Sequence, residues 1–148
     1  MQTMRRKLLK AGLLFTGLLT VPRLLLAWPA EAFKVKKREE ALTQIYGTAE
    51  LTSSAAVKLK APDIAENGAV VPVSIDTDMD GVESIAIIVD NNPSPLTATF
   101  ELGEGAIADV STRIKMGKTS TVLAVVKAGG KLYSAEKEVK VTIGGCGG

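Results

Sequence analysis

TSTVLAVVKAGGKLYSAEKEVKVTI, residues 119–143, is the stretch that decides the fold. Residues 119–127 are rich in Val and Thr, as a buried strand requires. Gly129-Gly130 then supplies two residues able to take φ > 0, the demand of a tight type I′ or II′ hairpin. Residues 131–135 read as a returning strand. Residues 136–143 alternate Val139, Val141 and Ile143 with Lys140 and Thr142, the period of a half-buried strand.

Upstream the same texture repeats. Residues 56–60, 70–75, 82–89, 96–102 and 107–114 are short runs rich in Val, Ile and Thr. Turn signals separate them: Glu66-Asn67-Gly68, Asp80-Gly81, Asn91 to Pro95, Gly103-Glu104-Gly105 and Met116-Gly117. Strands at this spacing with no helix between them predict an all-β, immunoglobulin-like antiparallel β-sandwich. Ahead of them, Ala41, Leu42, Ile45 and Tyr46 fall at helical spacing within residues 36–46, and Gly47 is a stop signal. One short N-terminal helix is expected, its apolar stripe packed on its own domain.

The first 32 residues read as an export signal. Arg5-Arg6 opens a basic region, an apolar run follows from Ala11 to Ala27, and Ala30-Glu31-Ala32 supplies the small-x-small pattern of a cleavage site. The paired arginines Arg5 and Arg6 point to twin-arginine export and a periplasmic location. A membrane anchor needs about 20 consecutive apolar residues, and Pro22 and Arg23 interrupt the run. The expected organisation is a cleaved signal over 1–32, a sandwich domain with its N-terminal helix over 33–143, and a flexible arm over 144–148.

The whole chain of 148 residues carries a net charge of +2. The signal holds five of its basic residues, Arg5, Arg6, Lys7, Lys10 and Arg23, and one acid, Glu31. The remaining 116 residues therefore keep 13 basic against 15 acidic side chains, for a net charge of −2. No basic stripe remains for nucleic acid, and no membrane association is expected after cleavage.

The available chemistry is narrow. The chain has no histidine and one cysteine, which removes the usual general base, the Cys-His nucleophile, the intramolecular disulfide and thiolate-cluster metal sites. No cofactor motif is present, and no enzymatic activity is expected. Asp76-Thr77-Asp78-Met79-Asp80-Gly81 matches half of a calcium-binding loop, but its twelfth position, which should be a bidentate glutamate, is Ile87. An acidic turn between two strands accounts for these residues without a metal. Asn92-Pro93-Ser94-Pro95 is a stiff loop, read as a plain strand connection.

The remaining reactive group is Cys146, set in Gly144-Gly145-Cys146-Gly147-Gly148. Glycines on both sides disfavour helix and strand, so a tether is expected. At about 3.3–3.6 Å per extended residue, the three steps from Ile143 to Cys146 reach roughly 10 Å. That is enough to place a thiol in a narrow pocket of another protein. An unpaired cysteine is a liability in an exported protein, and its presence argues for use.

With the carboxyl end in view, the chain resembles the SoxY family, the sulfur-carrier subunits of the bacterial thiosulfate-oxidising Sox system. The specific part is residues 139–148, VKVTIGGCGG, whose ending is the family's signature arm. Further similarity lies in residues 61–73 (APDIAENGAVVPV), 92–96 (NPSPL) and 130–135 (GKLYSA). The resemblance implies a periplasmic sandwich paired with a SoxZ subunit in a heterodimer. It further implies that Cys146 holds sulfur intermediates covalently and that Gly144, Gly145, Gly147 and Gly148 form the arm presenting them. The implied partners acting on the Cys146 conjugate are the SoxAX cytochrome, the SoxB hydrolase and, where the organism has one, a sulfane dehydrogenase. The alternative from another class is a structural or interaction module whose tail cysteine forms an intermolecular disulfide.

Overall fold

The computed structural model describes residues 29–142. The described chain begins with a 3-10 turn, Ala30–Phe33, and one α-helix, α1 (Arg38–Tyr46). Nine strands follow: β1 (Thr52–Ser53), β2 (Val57–Lys60), β3 (Ile64–Ala65), β4 (Val71–Thr77), β5 (Val82–Val89), β6 (Leu96–Glu101), β7 (Asp109–Ile114), β8 (Ser120–Ala128) and β9 (Lys131–Val141). One sheet runs β1-β9-β8-β5-β6, with β3 also paired to β9, and the other runs β2-β4-β7.

The β8–β9 hairpin is the centre of the larger sheet. Gly129 and Gly130 both take positive φ, 55° and 74°, so the turn is of the I′ kind whose twist matches the flanking strands. Ala128 faces Lys131, and the register then runs unbroken to Ser120 opposite Val139. Residues 131–141, expected to divide between two strands at 135/136, form the single strand β9, because no residue there disturbs the ladder. Glu83 marks a bulge where β5 shifts register against β8, and its carboxylate accepts the Gly130 N–H at 3.3 Å and meets Lys127 Nζ at 2.6 Å.

The sandwich core lies between the two sheets. In β4 the residues Val71, Val73, Ile75 and Thr77 are buried while Pro72, Ser74 and Asp76 turn outward, the alternation of a sheet wet on one side. Against them stand Ile85, Ile87 and Val89 of β5 and Val122, Ala124 and Val126 of β8. The alternate residues of the same two strands, Ala86, Ile88, Leu123 and Val125, are equally buried, because a second core covers the outer face of the sheet. Ala41 and Leu42 of α1 and Ala32 of the 3-10 turn fill it. The helix thus packs on its own domain as expected, and the molecule has three layers: helix, large sheet, small sheet.

Helix α1 ends where expected. Gly47 takes φ 76° and its N–H reaches the Thr43 carbonyl, a left-handed cap that glycine adopts without steric cost. Two strands have no counterpart in the sequence reading. β1 and β3, of two residues each, add to β9 in parallel, Thr52 opposite Tyr133 and Ile64 opposite Lys140. Segments so short have no periodicity to read.

Candidate functional site

Cys146, Gly144, Gly145, Gly147 and Gly148, together with Arg5 and Arg6, lie outside the described residues. The structure shows the base from which the carboxyl-terminal segment leaves, the end of β9. That base is held from both sides. On one side the N–H of Lys140 donates to the Asp63 carbonyl at 3.0 Å and that of Thr142 to the Ala65 carbonyl at 3.1 Å. On the other, the Val141 N–H donates to Thr119 Oγ1 at 3.0 Å. Three successive backbone donors are satisfied, two by the β3 segment and one by the residue preceding β8.

Below these bonds the side chains close the packing. Val139 is fully buried in the core between the sheets, and Val141 packs at its margin. Gly68 lies against Val141, its carbonyl accepting the Met116 N–H at 2.7 Å. A Cβ on Gly68 would stand 2.3 Å from Met116 O and 2.9 Å from Val141 Cγ1. Lys137 Nζ meets Asp63 Oδ1 at 3.0 Å and donates to the Ala61 carbonyl, tying the β2–β3 connection to β9.

The neighbouring loops are stitched into the same end. Asn92 Nδ2 donates to the Lys115 carbonyl at 2.7 Å, and its Oδ1 accepts the Gly117 N–H at 3.1 Å. Asn91 bonds the Ser120 hydroxyl through its N–H and the Thr119 carbonyl through its side chain, each at 2.9 Å. The Asn92-Pro93-Ser94-Pro95 stretch is therefore the β5–β6 connection, and Ser94 Oγ also donates to the Phe33 carbonyl. Lys115, Lys118 and Lys140 are exposed at this end. At the opposite end an open groove is lined by acidic residues, among them Asp78, Asp80, Glu83, Glu101 and Glu104.

The acidic turn after β4 is engaged in ion pairs. Asp76 meets Lys60 Nζ at 3.1 Å and Lys58 Nζ at 3.5 Å, and Asp78 meets Lys58 Nζ at 2.9 Å. The hydrogen bond from Lys60 holds the Asp76 carboxyl below its ordinary pKa, and the bond to Asp78 raises Lys58. Ile87, which would be the twelfth position of a calcium loop, is fully buried in β5. The geometry is that of a lysine-closed strand turn.

Sequence reading placed the strand that leads to Cys146 but missed what holds it. Gly68, Thr119 and the β3 segment carry that function. Gly68 was legible only as part of the Glu66-Asn67-Gly68 turn signal and Thr119 only as the start of a strand, and neither pattern records a contact with the end of β9.

The chain is similar to known proteins over this whole region. The model of the family "Sulfur oxidation protein SoxY" matches residues 42–146, a span that includes Cys146. Among solved structures it is similar to the sulfur carrier protein SoxY from Chlorobium limicola f thiosulfatophilum. Identity there is 44% and the TM-score 0.66, with 72% of this chain and 97% of that chain covered. No curated protein matches. The family match over most of the chain, together with a related structure of the same architecture, makes this chain a member of the SoxY family of sulfur oxidation proteins.

Proposed function

We propose that this chain is a covalent carrier of sulfur intermediates in thiosulfate oxidation, with Cys146 as the attachment point. The observation that supports it most directly is the family match reaching Cys146, the chain's single cysteine, just beyond a strand end held by three backbone hydrogen bonds. A fixed base and a thin tether let several enzymes with narrow channels act on one bound substrate. Tethering also raises the effective concentration of that substrate at each docked site.

In this reading the leader opening with Arg5-Arg6 sends the chain to the periplasm, where it pairs with SoxZ. The SoxAX cytochrome joins thiosulfate to the carrier: an S–S bond forms between Cys146 Sγ and the sulfane sulfur, the thiol proton leaves, and two electrons pass to the c-type haem partner. The SoxB hydrolase then adds water across the terminal S–SO₃ bond, releasing sulfate and leaving a persulfide on Cys146. A sulfane dehydrogenase, where present, oxidises that sulfur. The carrier itself contributes no general base to these steps.

Intact-protein mass spectrometry, with and without reduction, on protein purified from its native periplasm tests this. Reducible adducts of thiosulfate or of extra sulfur mapped to Cys146 are the expected result. A bare thiol or a plain disulfide dimer under sulfur-oxidising conditions overturns it.

A further inference from the structure

The segment expected to be cut from the mature protein contributes to its core. Ala32, the last residue of the small-x-small pattern, is 0% exposed and packs in one cluster with Ala41 and Leu42 of α1, Ile88 of β5, Leu96 of β6 and Leu123 of β8. The turn around it is closed by the bonds Ala32 N–H to Pro29 carbonyl and Lys34 N–H to Glu31 carbonyl, both 3.0 Å, and by the Lys34–Glu31 ion pair at 2.7 Å. Beyond it the chain is fastened to the β5–β6 loop, by Ser94 on the Phe33 carbonyl and by Lys36 Nζ on the Pro93 carbonyl at 3.0 Å.

Three physical consequences oppose a cut after Ala32. Proteolysis favours exposed, mobile backbone, and this bond follows a buried residue in a hydrogen-bonded turn. Removing Ala32 would leave an unfilled space in a closed apolar cluster. The new terminus would also place an ammonium group on Phe33, beside that cluster, where charge is disfavoured.

From these contacts we infer that residues 29–37 are a retained strap of the mature domain and that export processing falls N-terminal to Pro29. The last small residue before Pro29 is Ala27, which closes the apolar run of the leader and supplies the small residue directly before the cut, with Leu25 standing where the small-x-small pattern has its other small residue. The strap seals the outer core over β5, β6 and β8. The inference rests on the export reading above and corrects only where the leader ends.

The test is the N-terminal mass of protein recovered from the periplasm, for the natural chain and for two variants. A mature chain starting at Trp28 is expected; a start at Glu31 or Phe33 overturns the inference while leaving export intact, and an uncut Met1 overturns both. In Ala32→Val the mature protein is expected to carry the added mass of two methylenes and to melt roughly 5 °C lower from overpacking. An unchanged mature mass would mean that residue 32 had been removed. Ala27→Leu is expected to accumulate uncut precursor; normal processing of that variant overturns the assignment of Ala27.

Discussion

The Gly68 carbonyl accepts the Met116 N–H at 2.7 Å, and the two backbones lie so close that a Cβ on Gly68 would come within 2.3 Å of the Met116 oxygen. The glycine is required by space, since its neighbours on that side are backbone and Val141 Cγ1 at 2.9 Å. This contact seats the end of β9.

Gly68→Ala is accordingly expected to destabilise the domain by about 1–3 kcal/mol, the usual cost of overpacking. The readout is the urea unfolding midpoint. Because the displaced atoms include Val141, sulfur loading of Cys146 by partner enzymes is expected to slow as well. A midpoint within error of the natural protein would disprove the close approach.

Helix α1 is part of the outer core through Leu42, which is 1% exposed. Leu42→Ala is expected to cost about 2–5 kcal/mol, the transfer energy of the lost atoms plus the cavity left behind. A loss below about 0.5 kcal/mol in denaturant unfolding, the size of a surface change, would show that the helix does not seal the sheet.

Asp90 gives a pH dependence of defined sign. Burial lifts its carboxyl above the ordinary value; the Arg38 guanidinium at 3.4 Å opposes this, and Glu136 and Glu39 add to it. Its Oδ1 is buried without a hydrogen-bond partner among the described residues. The folded state therefore binds this proton more tightly than the unfolded state. The resulting stability is fully present below about pH 4, near the unfolded value, and is lost as pH rises through the folded one. Asp90→Asn is expected to be more stable relative to the natural protein at pH 7 than at pH 4, by thermal melts at both. A larger advantage at pH 4 would reverse the assignment.

Asp76 and Glu83 act in the opposite sense. Lys60 and Lys127, respectively, hold their carboxyls below the ordinary values, so their contribution is present above the unfolded value and is lost as pH falls through the folded one. Both pairs are open to solvent and should weaken in salt. The acid limb of the melting curve is expected to flatten in Glu83→Gln, and an unchanged limb would count against the Lys127 pairing.

On the carrier role proposed above, Gly145→Val is expected to leave the melting temperature unchanged and to slow loading of Cys146 in a reconstituted thiosulfate-oxidising assay, because the added side chain would widen the proposed arm. Cys146→Ser is expected to abolish conjugation. Unchanged turnover in Gly145→Val would refute the thin-arm mechanism.

Much of the architecture was legible in local chemistry. β5 begins and ends at the residues expected, 82 and 89, because Asp80-Gly81 and the Asn91 to Pro95 loop bracket it. The Gly129-Gly130 hairpin and the Gly47 cap were equally visible, since each depends on φ > 0 at a glycine. β1 and β3 were not, because a two-residue strand is created by its partner's free edge and leaves no period in the chain. The burial of both faces of β5 and β8 follows from what the helix and the small sheet cover.

The sequence by itself determined the longer strands, the Gly129-Gly130 hairpin turn, the family and the cysteine on which the proposed function depends, because each is written in residue type and spacing over a few positions. Only the tertiary structure decided which residues seat the base of the carboxyl-terminal segment, that Gly68 must lack a side chain, and that Ala32 belongs to the core. Those properties arise from atoms brought within a few ångströms by contacts between residues tens of positions apart, such as Gly68 with Val141 and Ser94 with Phe33. No local pattern records such distances.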